Sequence, residues 1–221
     1  GASIPDRSHP GRAVQADVSS TGPEGMRLVR GSPRRKALSG LDDALALEGP
    51  LAGTLKLSIP LQQGLPEVEV SARLKGNRLL LKQADLAATG LEGELRYHSR
   101  TGLSAEHLTA RLLDESVVAS ISSQMHRGEL AGVNVVLDGK VGVPALRPWT
   151  GPGVLNMVSG STPYQASISI ASSAAPVRLL LTSPLTGLQV NLPPPLGKTA
   201  TETLPLRYQC SFGAGEQMAR L

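Results

Sequence analysis

The chain has 221 residues, a mass of 23.0 kDa, 22 basic and 18 acidic side chains, and a net charge of +4. This length suits one large or two small domains, and 40% hydrophobic residues is too high a fraction for a disordered chain. A single cysteine, Cys210, excludes an internal disulfide and any multi-cysteine metal site. No apolar run approaches the ~18–20 residues of a membrane helix, and the first residues lack the pattern of a signal peptide, so neither is expected.

The beginning of the chain divides into two predicted segments. Residues 1–32 contain scattered proline, glycine and serine without a sustained period, which predicts an irregular polar lead-in. A Ser-Pro pair then suits the start of a helix, leucines recur at helical spacing, and a Gly-Pro pair ends the pattern. The sequence therefore predicts an amphipathic helix over residues 33–47.

Residues 48–142 alternate between apolar and polar side chains. A period of two is typical of strands that have one dry face and one wet face. Short links rich in turn residues separate the alternating runs, among them Lys75-Gly76-Asn77, Arg100-Thr101-Gly102 and Arg127-Gly128. Such links favour hairpins, so the pattern predicts an antiparallel, meandering sheet.

Residues 143–163 interrupt the alternation. Pro144 to Trp149 predict a short helical turn near 144–150, and a loop that contains the turn signal Ser159-Gly160-Ser161 follows. We expect this segment to cross over between two groups of strands. The alternation resumes over residues 164–221, where further strands are expected, the last of them truncated at the C-terminus.

The periodicity does not determine what covers the apolar face of the sheet. Two dry faces could close on each other in a sandwich, one could close on itself in a barrel, or a curved sheet could leave its dry face open as a groove. Aromatic residues make up only 2% of the chain, although aromatics usually supply much of a packed core. This composition favours a smooth aliphatic gutter over a tightly filled sandwich.

Catalytic and metal-binding patterns are weak throughout the sequence. The four histidines lie at positions 9, 98, 107 and 126, without metal-binding spacing, and are expected to face solvent. The acidic pairs at 42–43, 67 and 69, and 92 and 94 are expected to be solvated. Gly197-Lys198-Thr199 resembles the end of a phosphate loop, but the proline run before it lacks the backbone donors of such a loop. We therefore expect no enzyme activity, no metal and no cofactor.

A basic cluster is the strongest charge feature of the sequence. It could contact phosphates of nucleic acid or of lipid head groups, but a solvated surface is the favoured interpretation. The near absence of stacking aromatics argues against nucleic acid as a partner. The cluster consists of Arg27, Arg30, Arg34, Arg35 and Lys36.

Several segments resemble the YhdP family, the large AsmA-like proteins of Gram-negative envelopes. Residues 183–198 follow its pattern S-x-L-x-G-L-x-x-x-L-P-x-P-L-G-K, and residues 49–61 its pattern G-P-L-A-G-x-L-x-L-x-I-P-L. Residues 93–105 resemble its G-x-L-x-Y-x-x-x-x-G-L-x-A hairpin, and residues 159–164 its S-G-x-T-P-Y segment. These motifs occur in order over about residues 33–212.

The resemblance implies an elongated, curved antiparallel sheet of the repeating β-groove type, shaped like a taco, with an apolar concave face. It further implies a periplasmic part of an inner-membrane-anchored protein, of which this chain is a central fragment, with envelope protein partners. The implied function is phospholipid transport between the inner and outer membranes, which supports outer-membrane integrity. The family offers no catalytic residues to carry over.

Inward-facing apolar residues of the predicted strands are the candidate groove lining, where they would contact phospholipid acyl chains. The alternative is a structural β-solenoid or sandwich module of an envelope protein that binds no lipid and packs its apolar face with protein. The candidates are Leu55, Leu57, Val68, Val70, Leu95, Tyr97, Val117, Ile121, Val133, Val135, Leu137, Ala166, Ile168, Ile170, Leu179 and Leu181.

Overall fold

The computed structural model describes residues 11–24, 45–60, 66–82, 86–127, 129–149, 153, 155–171, 176–212 and 218–220. Most of these residues lie in strands, which confirms the mainly β fold. One helical turn, α1 (Val143–Leu146), runs into a 3-10 turn at Arg147–Trp149. The strands are β1 (Gly11–Thr21), β2 (Leu45–Glu48), β3 (Pro50–Pro60), β4 (Glu67–Leu81), β5 (Leu86–His98), β6 (Gly102–Leu112), β7 (Glu115–His126), β8 (Glu129–Gly142), β9 (Val158–Ala171), β10 (Val177–Ser183), β11 (Leu188–Val190), β12 (Leu206–Phe212) and β13 (Met218–Arg220).

The strands form one 13-stranded sheet in the order β1-β3-β4-β5-β6-β7-β8-β9-β10-β12-β13, with β2 beside β4 and β11 beside β9. All strand pairs are antiparallel. Within the described residues, extensive contacts between strands are confined to hydrogen-bonded neighbours, and the edge strands β1 and β13 do not pair with each other. The described sheet is therefore a single open, curved layer, neither a sandwich nor a closed barrel.

β-Bulges interrupt the sheet from β4 to β8 and bend its strands. The first bulge contains Lys75-Gly76-Asn77, so the hairpin predicted there is wrong and β4 runs straight through this tripeptide. Asn77 is 0% exposed and explains the bulge. Its side-chain oxygen accepts the Lys75 N–H at 2.8 Å, and its amide donates to the carbonyls of Glu48 and Pro50 at 3.2 and 2.9 Å. The other two predicted links do join strands, β5 to β6 and β7 to β8.

The first 47 residues differ from the prediction wherever the structure describes them. Residues 11–21, predicted to be irregular, form β1 because Val14 and Ala16 continue the alternation of β3 by pairing with Leu57 and Leu55. Residues 45–47, predicted to end a helix, belong to β2, which pairs with β4 and packs Leu47 against the apolar cluster. The rest of the predicted helix, residues 33–44, lies outside the described residues.

The segment 143–163 is not a crossover, because β8 and β9 are hydrogen-bonded neighbours from Gly142 and Ser161 onwards. The predicted helical turn is confirmed over Val143–Trp149. Ser159-Gly160-Ser161 lies within β9 and is not a turn. Gly160 has a φ of +99° and pairs with Leu188 of β11, so this glycine serves a close strand contact.

Candidate functional site: the apolar face of the sheet

All sixteen predicted lining residues lie on one face of the sheet. In β3, β4 and β5, Leu55 pairs with Val70 and Val70 with Tyr97, and in β7 and β8, Ile121 pairs with Val135. The period of two in each strand, joined through these pairs, produces one apolar face from β3 to β12. Other members of this face belong to the same alternating runs of the sequence but were not among the lining candidates, among them Leu51, Leu74, Leu108 and Tyr208.

Four consecutive strands present large aliphatic side chains that protein covers only in part. We call this set the open row, and it consists of Ile121, Val135, Ile168 and Leu179. Each of the four is half-buried. Neighbouring members pair directly across strands, so the row is continuous in the hydrogen-bonding direction, and the strand spacing of ~4.8 Å makes it about 14 Å long.

A second part of the same face is packed by protein. We call it the packed cluster, and it consists of Leu74, Ala88, Leu91, Ala105, Leu108, Ala110 and Val117 on β4–β7. Val117 is 3% exposed and Leu108 is 4% exposed. Of the sixteen candidates, Val117, Val133 and Ala166 are buried, whereas the others are half-buried. The face therefore combines a protein-packed floor with a partly exposed aliphatic surface.

Two polarisable groups lie on this face near β8–β12. The ring of Tyr164 sits over Gly139, where a Cβ would approach the phenol oxygen to 3.0 Å, and burial raises the pKa of that phenol. Cys210 extends the open row beyond Leu179, and burial raises the pKa of its thiol above the ordinary value. Both groups are therefore neutral at pH 7 and keep the face uncharged there.

The opposite face is polar, and over β3–β5 it carries ion pairs. Lys56 lies 3.7 Å from Glu69, and Arg100 lies 2.8 Å from Glu67. Arg96 donates to Glu94 at 3.0 Å, and this hydrogen bond holds the pKa of that carboxyl below its usual range. The predicted solvation of the acids at 67, 69, 92 and 94 agrees with these positions, whereas those at 42–43 lie outside the described residues.

The end of the sheet at β9–β11 joins two of the sequence motifs. Thr162 and Ser183 are buried, and their hydroxyl oxygens lie 3.1 Å apart, while the Ser183 hydroxyl donates to the Pro163 carbonyl at 2.7 Å. Gly160 and Gly187 meet so closely that a Cβ on Gly160 would lie 2.0 Å from the Gly187 carbonyl oxygen. We call residues 155–160 and 184–205 the lip, because they extend beyond the paired ends of β9 and β10.

The ammonium group of Lys198 has a structural position in this lip. It donates to the carbonyls of Leu188 and Thr199 at 2.8 and 3.0 Å, which agrees with our rejection of Gly197-Lys198-Thr199 as a phosphate loop.

Of the histidines, 107 and 126 are exposed, and the ring of His98 accepts the Arg100 N–H at 3.1 Å. In the described part of the chain, no group of three or more His, Cys, Asp or Glu could hold a metal ion. The basic cluster at 27–36 lies outside the described residues.

The family comparison covers the whole chain. The family described as YhdP protein matches residues 1–221. No curated protein and no solved structure matches the chain. None of the described helical segments is long and apolar enough to span a bilayer.

Proposed function

The chain belongs to the YhdP family, and from this premise we propose that it forms part of a hydrophobic groove that carries phospholipids between the inner and outer membranes. The protein would act without catalysis, as a periplasmic part of an inner-membrane-anchored assembly with envelope partners. The observation that carries the proposal is the partly exposed aliphatic face of an open, single-layered sheet.

The physical advantage of such a face is the removal of acyl chains from water. Each exposed methylene of a lipid in water costs about 0.8 kcal/mol, so a continuous aliphatic surface removes most of the barrier to crossing an aqueous space. Side chains of similar size and polarity in the open row offer no single deep binding minimum, which suits sliding. The polar face of the same strands would keep the outside of the conduit hydrated.

Lipid bound to the purified chain tests this proposal. We expect native mass spectrometry and solvent extraction to detect phospholipid on the wild-type chain. Val135→Asp, in the open row, should lose this lipid, whereas Val136→Asp should keep it. Val136 is the matched control because it is the next residue in β8, is also half-buried, and lies on the polar face opposite Ser120 and Ser167.

Two results would contradict the conduit. One is a lipid-free wild-type chain, and the other is equal lipid retention by both folded variants. Circular dichroism of each variant shows whether it is folded.

A structural module that binds no lipid is the second candidate, and the packed cluster on β4–β7 is the observation that favours it. If the whole apolar face were closed by protein, Val135→Asp would place a carboxylate in a dry core and unfold the chain. Unfolding of Val135→Asp together with a lipid-free wild-type chain would establish this alternative over the conduit.

A further inference from the structure

The charges of the chain are divided unevenly along the sequence. Residues 1–138 contain sixteen basic and sixteen acidic side chains, whereas residues 139–221 contain six basic and two acidic ones, so the whole net charge of +4 lies in the second part. No Asp or Glu occurs from residue 139 to residue 201, while Lys140, Arg147, Arg178 and Lys198 all lie there. This stretch of 63 residues supplies β9–β11, α1 and most of the lip.

The lip exposes apolar side chains at the end of the apolar face. Leu196 is 70% exposed, Met157 is 52% exposed and Leu192 is 40% exposed. The backbone N–H of Asn191 donates to the Met157 carbonyl at 2.7 Å, which holds the two arms of the lip together. Pro193, Pro194 and Pro195 between the leucines are also exposed and carry no N–H donor. An exposed set of this kind, without charges of its own, marks a contact surface.

Cations lie at the end of the sheet from which the lip extends. Lys140 pairs with Pro163 near the end of β8, Arg207 pairs with Thr182 near the end of β10, and Arg147 lies in the 3-10 turn at the same end of the sheet. Glu202 within the lip and Asp138 on β8 are acids with local hydrogen bonds. The Glu202 carboxylate accepts the Thr199 N–H at 2.6 Å, a hydrogen bond that lowers its pKa, and Asp138 accepts the Gln165 amide at 2.9 Å.

We propose that the lip docks on an anionic phospholipid bilayer, with Leu192, Leu196 and Met157 entering the interface and the cations at the same end of the sheet facing the head groups. Exposed apolar side chains at an end of the sheet that carries Lys and Arg, in a stretch with no acid from 139 to 201, are complementary to a negatively charged surface with an apolar interior. Docking here would bring the bilayer to the end of the apolar rows that include Leu181 and Ala166.

The lip is attached firmly enough for such a contact. The hydrogen bonds of Thr162 and Ser183 join β9 to β10 where the lip begins, and Gly160 of β9 closely approaches Gly187 beside the pairing of β11 with β9. The two bonds of the Lys198 ammonium, to the Leu188 and Thr199 carbonyls, brace the lip internally. Apolar side chains on a preorganised support lose little conformational freedom when they bind.

Co-sedimentation of the 221-residue chain with vesicles tests the proposal. We expect binding to vesicles of phosphatidylcholine mixed with phosphatidylglycerol, weaker binding to phosphatidylcholine alone, and a decline as ionic strength rises. Leu196→Asp should weaken binding to the mixed vesicles by about tenfold or more, since it removes an inserted leucine and adds an anion. Val118→Asp is the matched control, because Val118 is also exposed but lies on β7 away from the lip.

Three outcomes would overturn the docking surface: no binding to mixed vesicles, equal binding by Leu196→Asp, or equal binding to neutral vesicles. Binding of an acidic peptide but not of vesicles would assign the lip to a protein partner and would also overturn it. Phospholipid detected on the soluble chain by native mass spectrometry is a separate readout, so failure of the lip and failure of the groove are distinguishable.

Discussion

Strands β4–β7 and β8–β12 carry the same alternation of apolar and polar residues but bury it to different extents. In β4–β7 seven apolar side chains form one packed cluster. In β8–β12 the buried apolar residues Val133, Ala166 and Cys210 belong to no such cluster, and the larger Ile168, Leu179 and Leu181 are half-buried. A period of two thus fixes which face is apolar, whereas the neighbours across the face decide how dry it becomes.

The polar faces of the two regions differ as well. The ion pairs Lys56–Glu69, Arg96–Glu94 and Arg100–Glu67 lie on β3–β5 and their links. On β9–β12 the polar face presents mainly serine, threonine and glutamine, with Arg178 and Arg207 as its cations. The first region is therefore held together by a packed cluster and ion pairs, whereas the second has half-buried aliphatic residues on one face and few charges on the other.

The largest expected difference between the two regions is the loss of stability caused by an aspartate introduced into the packed cluster or into the open row. We expect Val117→Asp to destabilise the chain by about 4 kcal/mol or more, because its carboxylate would be buried without a partner. Ile168→Asp, in the open row on β9, should cost only about 1–2 kcal/mol, because Ile168 is half-buried and does not pack against the cluster, so a carboxylate there keeps part of its hydration. Urea denaturation measures both, and equal losses would contradict the distinction between packed cluster and open row.

The bulge in β4 should depend on Asn77. In Asn77→Asp a carboxylate replaces the amide that donates to the Glu48 and Pro50 carbonyls, so two hydrogen bonds become repulsive contacts. We expect a loss of about 2–4 kcal/mol in the free energy of unfolding. Arg78→Gln, one residue away and exposed, is the control and should change stability by less than about 1 kcal/mol.

The glycine contact in the lip should tolerate no side chain. Gly160→Ala would place a Cβ 2.0 Å from the Gly187 carbonyl oxygen at a positive φ, and we expect it to cost about 2–3 kcal/mol or to detach the lip from β9. Gly76→Ala is the control, because its φ is also positive but no atom lies within 4 Å of the added Cβ. Its cost should be about 1 kcal/mol, that of the backbone conformation alone. Thermal unfolding and hydrogen exchange of the β11 amides compare the two variants. A larger loss of stability in Gly76→Ala than in Gly160→Ala would contradict the prediction.

The smallest expected effect concerns the ion pairs. The pKa of Glu94 is lowered chiefly by its hydrogen bond to Arg96, so its carboxylate stabilises the fold above the ordinary carboxyl pKa, and this contribution is lost as pH falls through the lowered value. Arg96→Gln should raise the pKa of Glu94 toward its ordinary value in an NMR titration while leaving the fold intact. An unchanged titration would show that this pair does not persist in solution.

The sequence predicted the apolar face well because the period of two is unbroken between the candidates of each strand, although bulges shift it elsewhere in β4, β5 and β6. All sixteen candidate residues therefore lie on that face. The Lys75-Gly76-Asn77 segment predicts a hairpin because a glycine at positive φ followed by asparagine suits both a tight turn and a bulge, and Gly76 has a φ of +73°. The deciding fact is the burial of the Asn77 amide against β2 and β3, which involves partners 27 and 29 residues away.

Other errors have the same long-range origin. β1 has a short alternation that becomes recognisable only beside Leu55 and Leu57 of β3. The Ser159-Gly160-Ser161 segment looks like a turn, but its glycine is required by Gly187, which lies far along the chain. Local composition therefore identified special backbone positions correctly and assigned them the wrong structure, because the contact that explains each one lies in another strand.

Contact between lipid and one side of a single strand tests the central claim most directly. A photoreactive phenylalanine analogue can be placed at Leu179, in the open row, or at Leu180, its half-buried neighbour on the polar face of β10. After illumination with phospholipid, we predict a lipid adduct at position 179 and little or none at position 180. Equal adducts at the two positions, or none at 179 in a folded chain, would contradict an apolar face that holds acyl chains.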